Sequence, residues 1–174
     1  DTDTQLVNTL RITVTADAKS KAYGTNDPVL TYSFAPALIG TDAFSGALTR
    51  TAGENFGTYP ITQGTLALSP NYTISYVGAN LTITKFAITV TADDKAVHTS
   101  NSDPTFTYST SHFVGSDAFL TLPTCIVSVT HTTAGTYPIV CSGGDAGSNY
   151  SISYTSGTLT VTDNAANSPQ TASL

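Results

Sequence analysis

Two cysteines, three histidines and twelve acidic side chains are the groups in this 174-residue sequence that could carry chemistry. Cys125 and Cys141 are too few for a tetrahedral metal site, which needs four ligands. In a Thr- and Ser-rich chain with only 10% charged residues, a disulfide between them is the preferred reading. The alternative is a pair of buried free thiols, since a thiol packs as a small hydrophobe. Closing a loop of that length contributes about 3 kcal/mol in the chain-entropy description, and it implies an oxidising compartment. His98, His112 and His131 lack a nucleophile elbow of the Gly-x-Ser-x-Gly kind, so they read as exposed loop residues and no catalytic residue is expected. Glycoside cleavage needs two carboxylates flanking the bond; Glu54 is the one glutamate, and the aspartates stand where turns need them. Hard-oxygen pairs (Asn26 with Asp27, Asn101 with Asp103, Asp93 with Asp94) make calcium the one cofactor worth weighing. None of them forms an EF-hand loop or a glycine–aspartate repeat.

Behind these groups lies a duplicated scaffold. Ile12-Thr13-Val14-Thr15-Ala16-Asp17 returns as Ile88-Thr89-Val90-Thr91-Ala92-Asp93. Gly57-Thr58-Tyr59-Pro60-Ile61 returns as Gly135-Thr136-Tyr137-Pro138-Ile139, and Asn71-Tyr72-Thr73-Ile74-Ser75-Tyr76 as Asn149-Tyr150-Ser151-Ile152-Ser153-Tyr154. Self-similarity at a fixed period marks an array of modules. We divide the chain into an N-terminal flank at 1–9, a first repeat at 10–85, a second repeat with the disulfide at 86–163, and a disordered tail at 164–174. Both cysteines fall in the second repeat.

Each repeat reads as strands. Residues 11–16 alternate apolar and polar, the period of a half-buried strand. Residues 23–28 are a turn cluster, and 29–34 read as a second strand. The stretch 35–47 holds at most a helical turn, because Gly40 and Gly46 oppose a longer helix. A short strand is expected near 48–51 and a longer one at 59–68, bent at Gly64. Residues 72–76 and 80–84 read as a hairpin turning at Gly78. The recurring tyrosines Tyr59, Tyr72 and Tyr76 are expected to bury their rings and leave hydroxyls at the core's edge. Between repeats, Lys85, Phe86 and Ala87 form a junction without Gly, Pro or Ser padding. A connection that short makes the modules abut, giving a stiff, elongated pair.

Composition narrows the partners. Six Lys and Arg against twelve acids give a net charge of −6, the wrong sign for phosphate backbones. Nucleic acid is not an expected partner. No apolar run approaches the roughly 20 residues of a membrane helix, and the lack of Met suggests an internal slice of a longer protein.

Three segments carry a family likeness: Tyr23-Gly24-Thr25-Asn26-Asp27-Pro28-Val29-Leu30-Thr31-Tyr32, Gly53-Glu54-Asn55-Phe56-Gly57-Thr58-Tyr59-Pro60-Ile61-Thr62-Gln63-Gly64, and Asn71-Tyr72-Thr73-Ile74-Ser75-Tyr76. They resemble the MBG domains found in tandem in bacterial secreted and surface proteins. The second repeat resembles a cysteine-bearing version, through Leu122-Pro123-Thr124-Cys125 and Gly135-Thr136-Tyr137-Pro138-Ile139-Val140-Cys141. It departs at Thr99-Ser100, which replaces the Tyr-Gly pair. The resemblance implies mostly β domains, β-grasp-like or immunoglobulin-like, in extracellular adhesin-like proteins.

The expected function is therefore a non-enzymatic stalk repeat that extends or presents a functional region at the cell surface. Its partners would be neighbouring repeats of the same chain. The alternatives are an adhesion module for a surface glycan or protein, and an accessory domain of a secreted enzyme.

Overall fold

The computed structural model describes residues 8–164. Most of the expected flank at 1–9, and all but the first residue of the expected tail at 164–174, lie outside the described residues. The chain divides into two compact units at Lys85 and Phe86, and each is described by itself.

The first unit is built from β1 (Leu10–Ala16), β2 (Lys19–Ala22), β3 (Tyr32–Ala35), β4 (Thr49–Arg50), β5 (Gly57–Thr62), β6 (Tyr72–Val77) and β7 (Ala79–Thr84). They form a three-stranded sheet in the order β3-β1-β6 and a four-stranded sheet in the order β2-β7-β5-β4. The β1/β6 and β2/β7 pairs are parallel, whereas β1/β3, β5/β7 and β4/β5 are antiparallel. Strand β1 alternates as its sequence predicts: Ile12, Val14 and Ala16 point inward and are buried, while Arg11, Thr13 and Thr15 are exposed. One core takes Ile12 and Val14 from the first sheet and Ile61 and Leu81 from the second.

The second unit repeats this plan with β8 (Phe86–Ala92), β9 (Lys95–His98), β10 (Tyr108–Thr110), β11 (Thr124–Ile126), β12 (Gly135–Ser142), β13 (Tyr150–Thr155) and β14 (Gly157–Thr162). Its sheets run β10-β8-β13 and β11-β12-β14-β9. Val90 and Ala92 meet Ile139, Leu159 and Val161 in its core.

Two expectations need correction, while the absence of a helix among the described residues fits the reading of 35–47 as at most a helical turn. Residues 72–76 and 80–84 are not a hairpin. One residue separates β6 from β7, but the strands belong to different sheets, so the chain passes from one sheet to the other at Gly78 and the two strands do not pair. No helix forms among the described residues, and the segment 36–48 is turns and bends with a single bridge between Ser45 and Ala67. The second strand begins at Tyr32, leaving Val29 82% exposed, and the strand preceding it, Lys19–Ala22, has too polar a sequence to announce itself.

The turn after β2 explains the Tyr-Gly pair. Thr25 N donates to Ala22 O at 3.2 Å, and Gly24 between them has φ of +78°, the value a type II turn requires at that position. In the second unit Asn101 N donates to His98 O at 2.9 Å. Ser100 keeps a negative φ, which a type I turn accepts. The turn survives the replacement by changing type.

Candidate functional site

The first unit concentrates its charge at one corner. Strand β2 directs Lys21 inward, where it is the one buried charged residue among those described. A buried ammonium is costly unless paired and hydrogen-bonded. Lys21 Nζ lies 2.6 Å from Asp27 Oδ1 and 2.5 Å from Glu54 Oε2. Arg50, at the end of β4, donates through Nε to Asp27 Oδ2 at 2.6 Å and through Nη2 to Asp27 Oδ1 at 3.0 Å. It also pairs with Glu54 and donates through Nη1 to Gly53 O at 2.6 Å. Its guanidinium lies 5.4 Å from the centroid of the Tyr59 ring.

The pairing sets the protonation states. Hydrogen bonds from Arg50 and then Lys21 hold the Asp27 carboxyl down at about 2, from a usual 3.8. Burial pushes the Lys21 ammonium down, but the hydrogen bonds and charges of Asp27 and Glu54 outweigh it and leave its pKa raised. All four groups are charged at neutral pH, so the cluster is a lock between the 23–28 turn, β2 and the loop after β4. None of the four is poised to transfer a proton there.

Sequence reading placed neither Lys21 nor Arg50 in a site. The i, i+4 spacing of Arg50 and Glu54 is the one signal in the sequence, and it has meaning only in a helix.

The second unit treats the same corner differently. The rung Lys21↔Ile83 of β2/β7 corresponds to Val97↔Val161 of β9/β14. Val127 follows Ile126 as Arg50 follows Thr49, given the rungs Thr49↔Thr62 and Ile126↔Val140. Asp103 repeats Asp27, but its partner is His131. His131 Nε2 lies 2.8 and 2.9 Å from the two Asp103 oxygens, and Nδ1 lies 2.8 Å from Val129 O. The Val129 carbonyl and then Asp103 raise the imidazole's pKa above its usual 6.5. The ring sits 5.7 Å from that of Tyr137, the counterpart of Tyr59. His131 thus takes over the role of the Arg50 head group.

Next to this corner Cys125 and Cys141 are joined in a disulfide, directly opposed on β11 and β12 with Cα atoms 4.0 Å apart. The register puts Leu48 at the position equivalent to Cys125, because Thr49 corresponds to Ile126.

Other recurring acids fasten loops. Tyr72 donates its hydroxyl proton to Asp42 at 2.7 Å and accepts from Ile39 N at 3.0 Å. Tyr150 does the same with Asp117 at 2.7 Å and Val114 N at 3.2 Å. Asp17 and Asp93 accept from Thr31 and Thr107, both at 2.5 Å. Of the oxygen pairs weighed for calcium, Asp27 is taken by Lys21 and Arg50, Asp103 by His131, and Asp94 accepts from Thr158 N at 2.7 Å. Among the described residues no three His, Cys, Asp or Glu side chains converge as a metal site. His98 bonds Thr162 at 2.9 Å, and His112 meets Phe86 edge-on at 5.5 Å.

At the junction, Lys85 Nζ lies 5.3 Å from the Phe56 ring. Phe86 packs on His112 and Tyr150, and Ala87 is exposed.

Residues 12–82 and 88–160 each match the MBG domain (YGX type). The chain belongs to the MBG domain family. Its two MBG domains are of a kind that recurs as repeats in surface and secreted proteins. No curated protein matches the sequence. No helix of the described residues is long and apolar enough to cross a membrane.

Proposed function

We propose that this tandem of MBG domains is a non-enzymatic, load-bearing repeat of a secreted or surface-attached bacterial adhesin-like protein, extending a functional region away from the cell. The single observation that carries this reading is the parallel clamp present in each domain. Strand β1 leads in from the N-terminal side and pairs in parallel with β6 over six rungs, from Leu10↔Tyr72 to Thr15↔Val77. The chain then leaves through β7, itself parallel to β2 over four rungs. The second domain repeats both ladders, β8 with β13 and β9 with β14.

Pulling the two ends of such a domain apart drags parallel strands in opposite directions, so the rungs of a ladder are loaded together instead of one at a time. Duplication of the ladder, along with the core and the loop fasteners, supports a mechanical duty, since a ligand site need not be doubled. The disulfide and the charge-poor, Thr-rich surface support an extracellular setting.

Force spectroscopy on the full chain, pulled from its ends, tests the reading. Two cooperative high-force events are expected, the second domain's extension lengthening by about 50 Å once the disulfide is reduced, from roughly 3.4 Å per residue released. Gradual low-force unzipping would refute the load-bearing role.

A further inference from the structure

The corner filled by Lys21 and Arg50 in the first domain is an open cleft in the second. Lys21 and Arg50 are long and their side chains are only 4% and 9% exposed, so they occupy the space themselves. Val97 and Val127 stand at the equivalent positions and stop short. A cleft of about 350 Å³ results, lined among others by Val97, Val127, Val161, Asn101, Asp103 and His131. That is the low end of the roughly 300–1,000 Å³ of ligand pockets, room for one side chain.

Asp103 retains acceptor capacity there. Its two oxygens share one N–H direction, from His131 Nε2 at 2.8 and 2.9 Å. Asp27, in contrast, takes two guanidinium N–H groups and the Lys21 ammonium. His131 already takes the place of the Arg50 head group, on the recurring aspartate and against the recurring tyrosine. The role left without a counterpart in the second domain is that of the Lys21 ammonium.

We propose that this cleft is a recognition site for a lysine side chain of a partner polypeptide, its ammonium meeting Asp103 as that of Lys21 meets Asp27. The three valines suit the aliphatic stem, which buries along apolar surface while the head seeks a charge. The carboxylate disfavours anions, and the chain's net charge of −6 attracts a basic partner. The first domain, whose own lysine fills the corner, is the internal control.

The test is an NMR titration of the full 174-residue chain with a capped Gly-Gly-Lys-Gly-Gly peptide and with the same peptide acetylated on its lysine Nε. Saturable shifts centred on Val97, Asp103, Val127 and His131 are expected. Acetylation of the peptide, and the isosteric Asp103→Asn variant, are each expected to weaken binding by roughly tenfold or more, since the charge-assisted bond is lost. Val97→Lys should block the cleft with a side chain of the protein itself and abolish binding in a folded domain. Shifts that do not saturate, an acetylated peptide that binds equally well, or binding indifferent to Asp103→Asn would each overturn the assignment. Should Val97→Lys unfold the domain, the Asp103→Asn result decides.

Discussion

The two MBG domains hold the same corner by different means. In the first, four charges bind the 23–28 turn, β2 and the β4–β5 loop into one ionic lock. In the second, the disulfide ties β11 to β12 and a single His131–Asp103 contact fastens the turn. The sheets, the core and the tyrosine–aspartate fasteners are the same in both. A small β domain needs that corner fastened, and the fold does not dictate which chemistry fastens it. The covalent solution relieves Asp103 of most of its ionic duty, which is what leaves a carboxylate facing a cleft.

The largest expected effect comes from removing the covalent tie. Reducing the disulfide, or replacing both cysteines by alanine, should cost the second domain about 3 kcal/mol in the chain-entropy description and the first domain nothing. Hydrogen exchange in the intact chain separates the two, because protection of core amides reports the local opening energy. Ile139 and Leu159 should lose protection while Ile61 and Leu81 keep theirs. Equal losses in both domains would mean that the tie acts beyond its own unit.

Asp27→Asn should come next. Removing one partner of a fully buried pair costs roughly 3–5 kcal/mol because the other charge stays buried and uncompensated. The Asp27 side chain is 39% exposed, so solvent screens part of the loss and about 2 kcal/mol is expected, with Lys21 left to Glu54 alone. Asp103→Asn should cost the second domain clearly less than Asp27→Asn costs the first, since it leaves behind an imidazole that can give up its proton. Chemical denaturation of each variant, followed through the same amides, measures the difference. A second-domain loss as large as the first would contradict the division of labour between disulfide and ion pair.

Much of the scaffold was legible before any coordinates. The alternation at 11–16 placed Ile12 and Val14 inside, the two copies announced the two domains, and the opposed cysteines formed their bond. What escaped was set by partners distant in sequence. Lys19-Ser20-Lys21-Ala22 becomes a strand because β7, some sixty residues later, lies parallel to it; nothing local signals that. Gly78 between two apolar stretches looks like a hairpin turn because the sequence shows how close two strands are along the chain and not which sheet each joins. The ionic corner was missed for the same reason. Arg50 and Glu54 have helical spacing in a segment that is not helical, and Lys21 and Asp27 reach them only through the sheet's register.

The smallest effect, and the most diagnostic, is the opposite response of the two corners to pH. Asp27 is depressed from 3.8 to about 2, so its contribution is present in full above the unfolded value and is lost as pH falls through 3.8 towards 2. Lys21 is raised from 10.5, so its share disappears only on the alkaline side. The first domain is therefore flat across neutrality. His131 is raised from 6.5; its contribution is full below that value and is lost as pH rises through the higher folded pKa. Going from pH 6 to pH 8, second-domain amides should lose protection relative to first-domain amides, once the intrinsic pH dependence of exchange is removed. His131→Gln should abolish the differential. A differential that survives in His131→Gln would mean that another group titrates the corner, and one of opposite sign would mean that Asp103 and His131 meet without a proton between them.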